Sequence, residues 1–312
     1  MNSVKFKTFF QNAFLSVCIS NHAVLSYANN NYTLHGRTNA FFHLLNHDSF
    51  LCTTPKVACT SIRTWLISLV HAAHREKCSL SAQFNDNEVH RMIFGRQECL
   101  GNTSVYKMKR TVSKNLLESY FKATFVRHPM DRFISAMVDR NIDRVMSGIY
   151  PTGYNSSWRT LRGFGVDKYL TYLESRNESF RSCKELNGHF LPQSCFCLHR
   201  YIKYNLLGRL ENFDNDWLAF LAQLNNRSRI KSRSSHSHTH SVTIIPEKKL
   251  ENRAKKTFGT SIRSQLIGNI TFDLARRLSI LYSEDFLRFN YSMEEWWQTN
   301  KPALSLGSES YF

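Results

Sequence analysis

The stretch "TTPKVACTSIRTWL", residues 53–66, decides the fold, because it places one lysine in a loop of small residues directly ahead of a helical pattern. The preceding "FLCTT", residues 50–54, is apolar and predicts a short buried strand. Apolar side chains then recur at helical spacing from a start near Thr60 or Ser61. A loop that leads into a helix N-terminus presents unpaired amides and the positive end of the helix dipole, so we expect it to hold an anion.

Within this loop, Lys56 adds a mobile positive charge, and the hydroxyls of Thr60 and Ser61 add hydrogen-bond donors. The Gly-Lys-Ser/Thr ending of ordinary nucleoside triphosphate loops is missing. A nucleotide-dependent kinase is therefore disfavoured, and no obvious pair of magnesium-binding carboxylates supports one.

A second segment of the same kind spans residues 121–146. "ATFV" predicts a strand, and Pro129 suits the first turn of a helix with one apolar face. Arg127 stands at the strand's end, where a parallel sheet presents its ligand crevice, and Ser135 follows two helical turns later. An arginine fork and a hydroxyl form a good phosphate clamp. The alternative is a structural Arg127 that pairs with Asp131 or a helix end.

Short apolar runs alternate with amphipathic helical patterns from residue 48 onward, which predicts an α/β fold with a P-loop-like central parallel sheet flanked by helices. We assign the domain to residues 48–295. We expect a signal peptide or weak signal anchor at 1–28, a polar stem at 29–47 and a C-terminal tail at 296–312.

The leader prediction rests on Lys5 and Lys7, on the moderately apolar stretch after them, and on small residues at 26–28 where a cut would fall. A buried N-terminal helix is the alternative. Of the eight cysteines Cys18 lies in this leader, and the odd number left implies at least one unpaired thiol. The chain also carries seven glycosylation sequons, which favour a secretory compartment. They are at Asn31, Asn102, Asn155, Asn177, Asn226, Asn269 and Asn290.

The net charge is the most unusual feature of the composition, since 41 Lys and Arg against 24 Asp and Glu give +17. Such a field attracts polyanions, although a merely soluble basic surface is the alternative. A secretory lumen and the absence of a recognisable nucleic-acid module disfavour nucleic acid. The basic segment 226–241, with its alternating histidines, predicts a flexible solvated loop rather than a metal site.

Five stretches carry a family resemblance, and they occur in one order over residues 50–291. They are "TPKVACTS", "FVRHPMDRFISAM", "GHFLPQSCFC", "YNLLGRLENFDNDWLAFL" and "LYSEDFLRFNY". Together they resemble the Golgi carbohydrate sulfotransferases of the chondroitin and dermatan sulfotransferase group. Three positions depart from that family's pattern: Met130 replaces an aromatic residue, Phe190 replaces a tryptophan, and the cysteines read Cys-Phe-Cys. The last departure leaves any disulfide carried over from the family open.

The resemblance implies an enzyme that moves a sulfuryl group from 3′-phosphoadenosine 5′-phosphosulfate to a glycan hydroxyl, with no metal. Lys56 would stabilise charge on the departing phosphate, and Arg127 and Ser135 would hold the 3′-phosphate. The implied cofactor-binding residues are Lys56, Val57, Ala58, Cys59, Thr60, Ser61, Arg127 and Ser135.

The attacking hydroxyl needs a general base, and His189 in a matched motif is the first candidate. A histidine that only stabilises a turn is an equal alternative. Glu211 is the second candidate, while His128 is interpreted as structural.

The expected acceptor is an acidic glycan or proteoglycan. Basic residues at 106–110 and at Arg159 and Arg162 are candidates to bind it, and scattered basic residues on a solvated surface are the alternative. A catalytically inactive glycan-binding protein of the same fold is the alternative function. It is disfavoured because Lys56, Arg127 and Ser135 occur together. The sugar, the hydroxyl and the oligomeric state stay open.

Overall fold

The structure, a computed structural model, describes residues 26–28, 31–33, 41–44, 47–59, 61–62, 65–66, 105–107, 111–113, 118–138, 166–183, 188–234 and 257–300. The chain divides into two compact units. The sheet unit comprises residues 24–127 and 193–253, and the helical unit comprises residues 1–23, 128–192 and 254–312.

The described strands all belong to the sheet unit. They are β1 (Ser26–Ala28), β2 (Asn31–Thr33), β3 (Phe41–Leu44), β4 (Ser49–Cys52), β5 (Val105–Lys107), β6 (Thr111–Ser113), β7 (Phe121–Val126) and β8 (Leu206–Arg209). The described helices are α1 (Pro129–Met137), α2 (Val166–Ser175), α3 (Asn177–Arg181), α4 (Phe213–Ser234), α5 (Thr257–Asn269), α6 (Phe272–Leu281), α7 (Ser283–Arg288) and α8 (Met293–Asn300). Of these, α4 belongs to the sheet unit and the others to the helical unit.

A five-stranded sheet in the order β5-β3-β4-β7-β8 forms the centre of the sheet unit. Strands β4, β7 and β8 are parallel, with Cys52 opposite Thr124 and Val126 opposite Arg209. The α/β prediction is therefore confirmed, but the sheet is mixed, because β3 is antiparallel to both β4 and β5. The connection from β3 to β4 is too short for the crossover that a parallel pair requires.

The sheet begins earlier in the chain than the sequence indicates, since β3 lies in the stretch expected to be a polar stem. Its Phe42 and Leu44 are almost fully buried, which explains why this short segment joins the sheet. A separate three-stranded antiparallel sheet has the strand order β1-β2-β6. Residues 26–28, where the leader cleavage was expected, form its strand β1. Residues 1–25 lie outside the described ranges.

One hydrophobic core joins the sheet to the helical residues after the loop and to α4. Trp65 packs edge-on against Trp217, with ring centroids 4.9 Å apart, and Trp217 in turn contacts Phe125 of β7. Strand β4 is buried along its whole length, as expected for a strand covered on both faces. This packing holds the carboxyl ends of β4 and β7 in place.

Helix α4 is longer than the sequence indicates, because it continues through residues 226–234, which were predicted to be a loop. Its first three turns are anchored in the core by Trp217, Phe220, Leu221 and Leu224. Once a helix is nucleated in this way, arginine and lysine propagate it well. The alternating histidines of that segment lie outside the described ranges.

The helical unit is stabilised by caps and charge pairs. Thr271 caps α6 by accepting a hydrogen bond from the Leu274 N–H over 3.3 Å. Arg277 of α6 forms ion pairs with Asp167 and Glu174 of α2. None of the helices within the described ranges combines the length and the apolar character that a membrane span requires.

We expect Gly208→Ala to destabilise the protein by about 1–3 kcal/mol through overpacking. A Cβ at this position would lie 2.4 and 2.5 Å from two ring carbons of Phe125, which is buried and enclosed by other aromatic rings. Gly268→Ala is the matched control, because a Cβ there meets nothing within 4 Å. It should stabilise α5 by about 0.5–1 kcal/mol. Denaturant unfolding measures both changes, and equal effects would contradict the packing described.

Candidate active site

The loop at residues 53–59 leaves the carboxyl end of β4 and is closed by its own backbone. The Val57 N–H donates to the Thr54 carbonyl over 3.2 Å, and the Val57 side chain is fully buried in the core. Helical structure then starts at Cys59, one residue before the expected start, and the Ile62 N–H donates to the Ala58 carbonyl over 2.9 Å. The loop therefore runs directly into a helix N-terminus, as the sequence predicts.

Two residues of this loop adopt the left-handed conformation without being glycine. The φ angles are 67° at Lys56 and 47° at Ala58. A side chain in this region costs about 1–2 kcal/mol per residue. Left-handed residues turn backbone N–H groups toward one concave side, which makes an anion-binding nest. The strain is concentrated where the sequence predicts phosphate binding.

Arg127 lies immediately after β7, and β7 is the parallel neighbour of β4. Its guanidinium Nη1 donates to the Lys56 carbonyl oxygen over 3.3 Å. The two sequence-predicted loops are therefore brought to the same edge of the sheet, and the arginine contacts the loop that carries the lysine. Both side chains are half-buried.

The Gln193 side chain holds the backbone of Arg127 through two hydrogen bonds. Its Oε1 accepts from the Arg127 N–H over 2.9 Å, and its Nε2 donates to the Arg127 carbonyl over 2.7 Å. Gln193 begins a short 3₁₀ turn, Gln193–Cys195. Two residues beyond it, Cys197 is disulfide-bonded to Cys52 at the end of β4. Both cysteines of the Cys-Phe-Cys pattern are disulfide-bonded, and Cys197 is the one that pairs with Cys52.

Thr53 provides a test of whether an anionic ligand fits this loop. Its hydroxyl is buried, with 1% of the residue exposed, and has no hydrogen-bond partner among the residues that the structure describes. A buried hydroxyl without a hydrogen-bond partner lowers the stability of the fold by about 1–3 kcal/mol. The left-handed nest, the Arg127 guanidinium beside it and an unpaired hydroxyl at the start of the loop together have the chemistry that an anionic group such as phosphate or sulfate requires.

The other predicted residues of the loop have different positions. Val57 is a core residue whose amide is already engaged within the loop. Cys59 is a half-buried free thiol, and Ser61 is half-buried in the helical segment. Thr60 lies outside the described residues.

Helix α1 of the helical unit carries Ser135, which is half-buried in its second turn. The helix starts with Pro129 at its first position, as predicted, and is capped by His128. The His128 Nδ1 accepts from the Met130 N–H, and its Nε2 donates to the Ser292 carbonyl over 3.1 Å. His128 therefore has the structural role that the sequence indicates.

His189, the predicted base, lies half-buried in a turn at residues 188–190 of the helical unit. Arg132 of α1, which is 1% exposed, donates to the carbonyls of Gly188 and Leu191. The Tyr282 hydroxyl donates to the Phe190 carbonyl, and burial raises the pKa of Tyr282 well above its usual value. These buried donors fix the backbone on both sides of His189.

Glu211, the second candidate base, is exposed in the short turn Leu210–Asn212 of the sheet unit. Asp131, the alternative partner considered for Arg127, accepts from Arg263 and from the Trp296 indole N–H. Within the described ranges, no group of three or more His, Cys, Asp or Glu side chains could hold a metal ion.

The sequence interpretation missed Gln193, Thr53 and Arg132. Each lies inside a quoted motif, but its residue type did not indicate a role. Glutamine, threonine and arginine are usually exposed, so there was no reason in the sequence to expect buried hydrogen bonds from them. For Gln193 the available signal was its position in the apolar run "FLPQSC", which indicates burial and thus a polar partner.

We expect Ala58→Gly to stabilise the protein by about 0.5–1 kcal/mol, because relief of the left-handed penalty exceeds the added entropy of the unfolded chain. Ala222→Gly is the control, since Ala222 is exposed within α4. There the same substitution should destabilise by about 1 kcal/mol. Denaturant midpoints compare the two variants, and a loss of stability in both would contradict the strain at Ala58.

Comparison with known proteins places these features in a family. The chain matches the Sulfotransferase family over residues 40–292. It is 26% identical over 265 residues to carbohydrate sulfotransferase 11 of Rattus norvegicus, covering 80% of this chain and 66% of the relative. It is 23% identical over 256 residues to carbohydrate sulfotransferase 9 of Homo sapiens, covering 79% of this chain and 52% of the relative.

The chain thus spans slightly less than two thirds of the length of the rat relative. No solved structure matches it. The family match covers well over half of the sequence and includes both loops, β7 and the Gln193 segment. The resemblance to carbohydrate sulfotransferases is confirmed, and the chain belongs to the Sulfotransferase family.

Proposed function

We propose that this protein is a carbohydrate O-sulfotransferase that uses 3′-phosphoadenosine 5′-phosphosulfate as donor and a glycan hydroxyl as acceptor. The observation that carries the proposal is the contact between Arg127 and the Lys56 carbonyl at the carboxyl edge of the sheet. It places two cationic side chains beside a strained, amide-rich loop in a chain of this family. Parallel sheets bind their ligands at this edge.

The sheet unit offers the groups that a 5′-phosphosulfate requires. Lys56 supplies the mobile charge, and the amides of the left-handed loop supply directed donors. Arg127 carries a guanidinium with five N–H donors in a planar fork, a geometry that suits a phosphate, and its Nη1 contacts the Lys56 carbonyl. When bound, the donor supplies an activated sulfuryl group.

In the transfer, the acceptor oxygen forms a bond to sulfur while the bond between sulfur and the phosphate oxygen breaks. Negative charge develops on the departing phosphate, and the proposed role of Lys56 is to neutralise that charge. Positioning and electrostatic stabilisation are expected to dominate, as in phosphoryl transfer. The proton of the acceptor hydroxyl passes to a general base.

Ser135 and His189 belong to the helical unit, and their proposed roles rest on the family resemblance. Ser135 would bind the 3′-phosphate and His189 would accept the proton. The rigid turn around His189 supports the second role, since a base must be held in place to act.

We propose an acidic glycan or proteoglycan as the acceptor and the Golgi lumen as the compartment. The net charge of +17 supports an anionic acceptor. The Cys52–Cys197 disulfide supports an oxidising compartment, because such bonds are rare in the cytosol. The seven sequons agree with this location.

The first test is transfer of radiolabelled sulfate from the donor to a panel of desulfated glycosaminoglycans and N-glycans. We expect wild-type protein to label one acceptor class. Lys56→Ala should lower the rate by about 100-fold or more, because charge on the leaving phosphate is no longer neutralised.

Lys203→Ala is the matched control for this test, since Lys203 is an exposed lysine of the sheet unit. It should transfer sulfate at the wild-type rate. If the wild type neither labels any acceptor nor binds 3′-phosphoadenosine 5′-phosphate, the proposed donor is wrong. Equal rates for wild type and Lys56→Ala would exclude the assigned role of Lys56.

A second prediction concerns the base. His189→Gln should lower kcat by about 10²–10⁴-fold while leaving the affinity for 3′-phosphoadenosine 5′-phosphate unchanged. In the wild type, kcat should fall at low pH, because the base must be deprotonated to act. This fall in kcat at low pH should disappear in the variant. A variant that keeps the wild-type rate and pH profile would show that His189 only stabilises its turn.

A further inference from the structure

We propose that Gln193 is the positioning residue of the phosphate site: its side chain fixes the backbone of Arg127, and through Arg127 it sets recognition of the donor's 3′-phosphate. The inference rests on the proposed function and adds a residue that contacts no ligand itself. It depends on a chain of contacts that lie entirely within the sheet unit.

The first contact is the two-way bond between Gln193 and Arg127. The pairing of β7 with β8 ends at Val126, opposite Arg209, so Arg127 stands one residue beyond it. The Gln193 amide accepts from the Arg127 N–H at 2.9 Å and donates to the Arg127 carbonyl at 2.7 Å. The side-chain amide thus replaces a peptide group of a neighbouring strand and holds Arg127 at the end of β7.

Gln193 is suited to this role because it is fully buried, with 0% exposure. A primary amide carries both a donor and an acceptor on one rigid plane, which a carboxylate or an aliphatic side chain of the same size does not. Losing either bond removes one of the two hydrogen bonds by which the Gln193 side chain holds the Arg127 backbone. The Arg127 backbone therefore has one strongly preferred position.

The second contact leads from Arg127 to the lysine loop. With its backbone fixed, the Arg127 side chain reaches the Lys56 carbonyl at 3.3 Å. Lys56 has a φ of 67°, and a bond to its carbonyl helps to hold this strained conformation. A shift of Arg127 would therefore disturb both the guanidinium and the orientation of the lysine loop.

The segment that carries Gln193 is fastened at its other end as well. Cys197 is bonded to Cys52, and its Sγ lies 3.5 Å from the Thr54 hydroxyl, at the base of the loop. The Tyr204 hydroxyl donates to the Cys197 carbonyl. Residues 193–197 thus connect the carboxyl ends of β7 and β4, the two strands that carry Arg127 and the lysine loop.

The test compares binding of 3′-phosphoadenosine 5′-phosphate and adenosine 5′-phosphate, which differ only in the 3′-phosphate. We expect wild-type protein to prefer the bisphosphate. In Gln193→Met, which keeps the length of the side chain and loses both hydrogen bonds, this preference should fall about tenfold. Affinity for adenosine 5′-phosphate should change much less, and the donor KM should rise more than kcat falls.

Gln193→Glu is the second variant, because a carboxylate keeps the acceptor for the Arg127 N–H and loses the donor. We expect a smaller loss of preference than in Gln193→Met. Gln223→Met is the matched control, since Gln223 is an exposed glutamine of α4. Its preference should equal that of the wild type.

The outcomes separate the inference from the proposed function. If wild-type protein binds neither nucleotide, the proposed donor fails. If the wild type prefers the bisphosphate and folded Gln193 variants keep that preference, the positioning role is overturned. Thermal melts identify unfolded variants, and a failure of both Gln193 substitutions to fold would assign the residue a structural role and also overturn the inference.

Discussion

The parallel pairing of β4 with β7 is the constraint on which the candidate site depends. It places Cys52 opposite Thr124, and the Thr124 hydroxyl donates to the Cys52 carbonyl over 3.2 Å. Two loops that are far apart in the sequence then leave the sheet at the same edge. The aromatic core beneath, with Trp65 and Trp217 at its centre, keeps this pairing in place.

The site combines local strain with buried restraints. Lys56 and Ala58 are held in left-handed conformations that cost stability, and Thr53 carries an orphaned hydroxyl. The surrounding contacts through Gln193 and the Cys52–Cys197 disulfide stabilise this arrangement. Such strain persists only where the surrounding structure determines it strongly, and it is characteristic of functional sites. A pre-organised loop does not need to reorganise when charge develops on a ligand.

Several elements were predictable because their signals are local. Pro129 at the start of α1 and the apolar strand β7 follow from residue types within a few positions. The extension of α4 through residue 234 was missed, because a polar, basic stretch resembles a loop when the anchored turns before it are not visible. The antiparallel β3 was missed since its four residues lie in an otherwise polar region.

The sequence by itself determined the strand–loop–helix segments, the cationic residues in each loop and the family. Only the tertiary structure decided which of these groups meet. Arg127 donates to the carbonyl of Lys56, 71 residues away, and Gln193 bonds to the backbone of Arg127, 66 residues away. Cys52 forms a disulfide with Cys197, 145 residues away. Propensity and periodicity act over a few residues, whereas these contacts depend on how buried strands pack. For this reason a glutamine without an evident role in the sequence holds the arginine of the site.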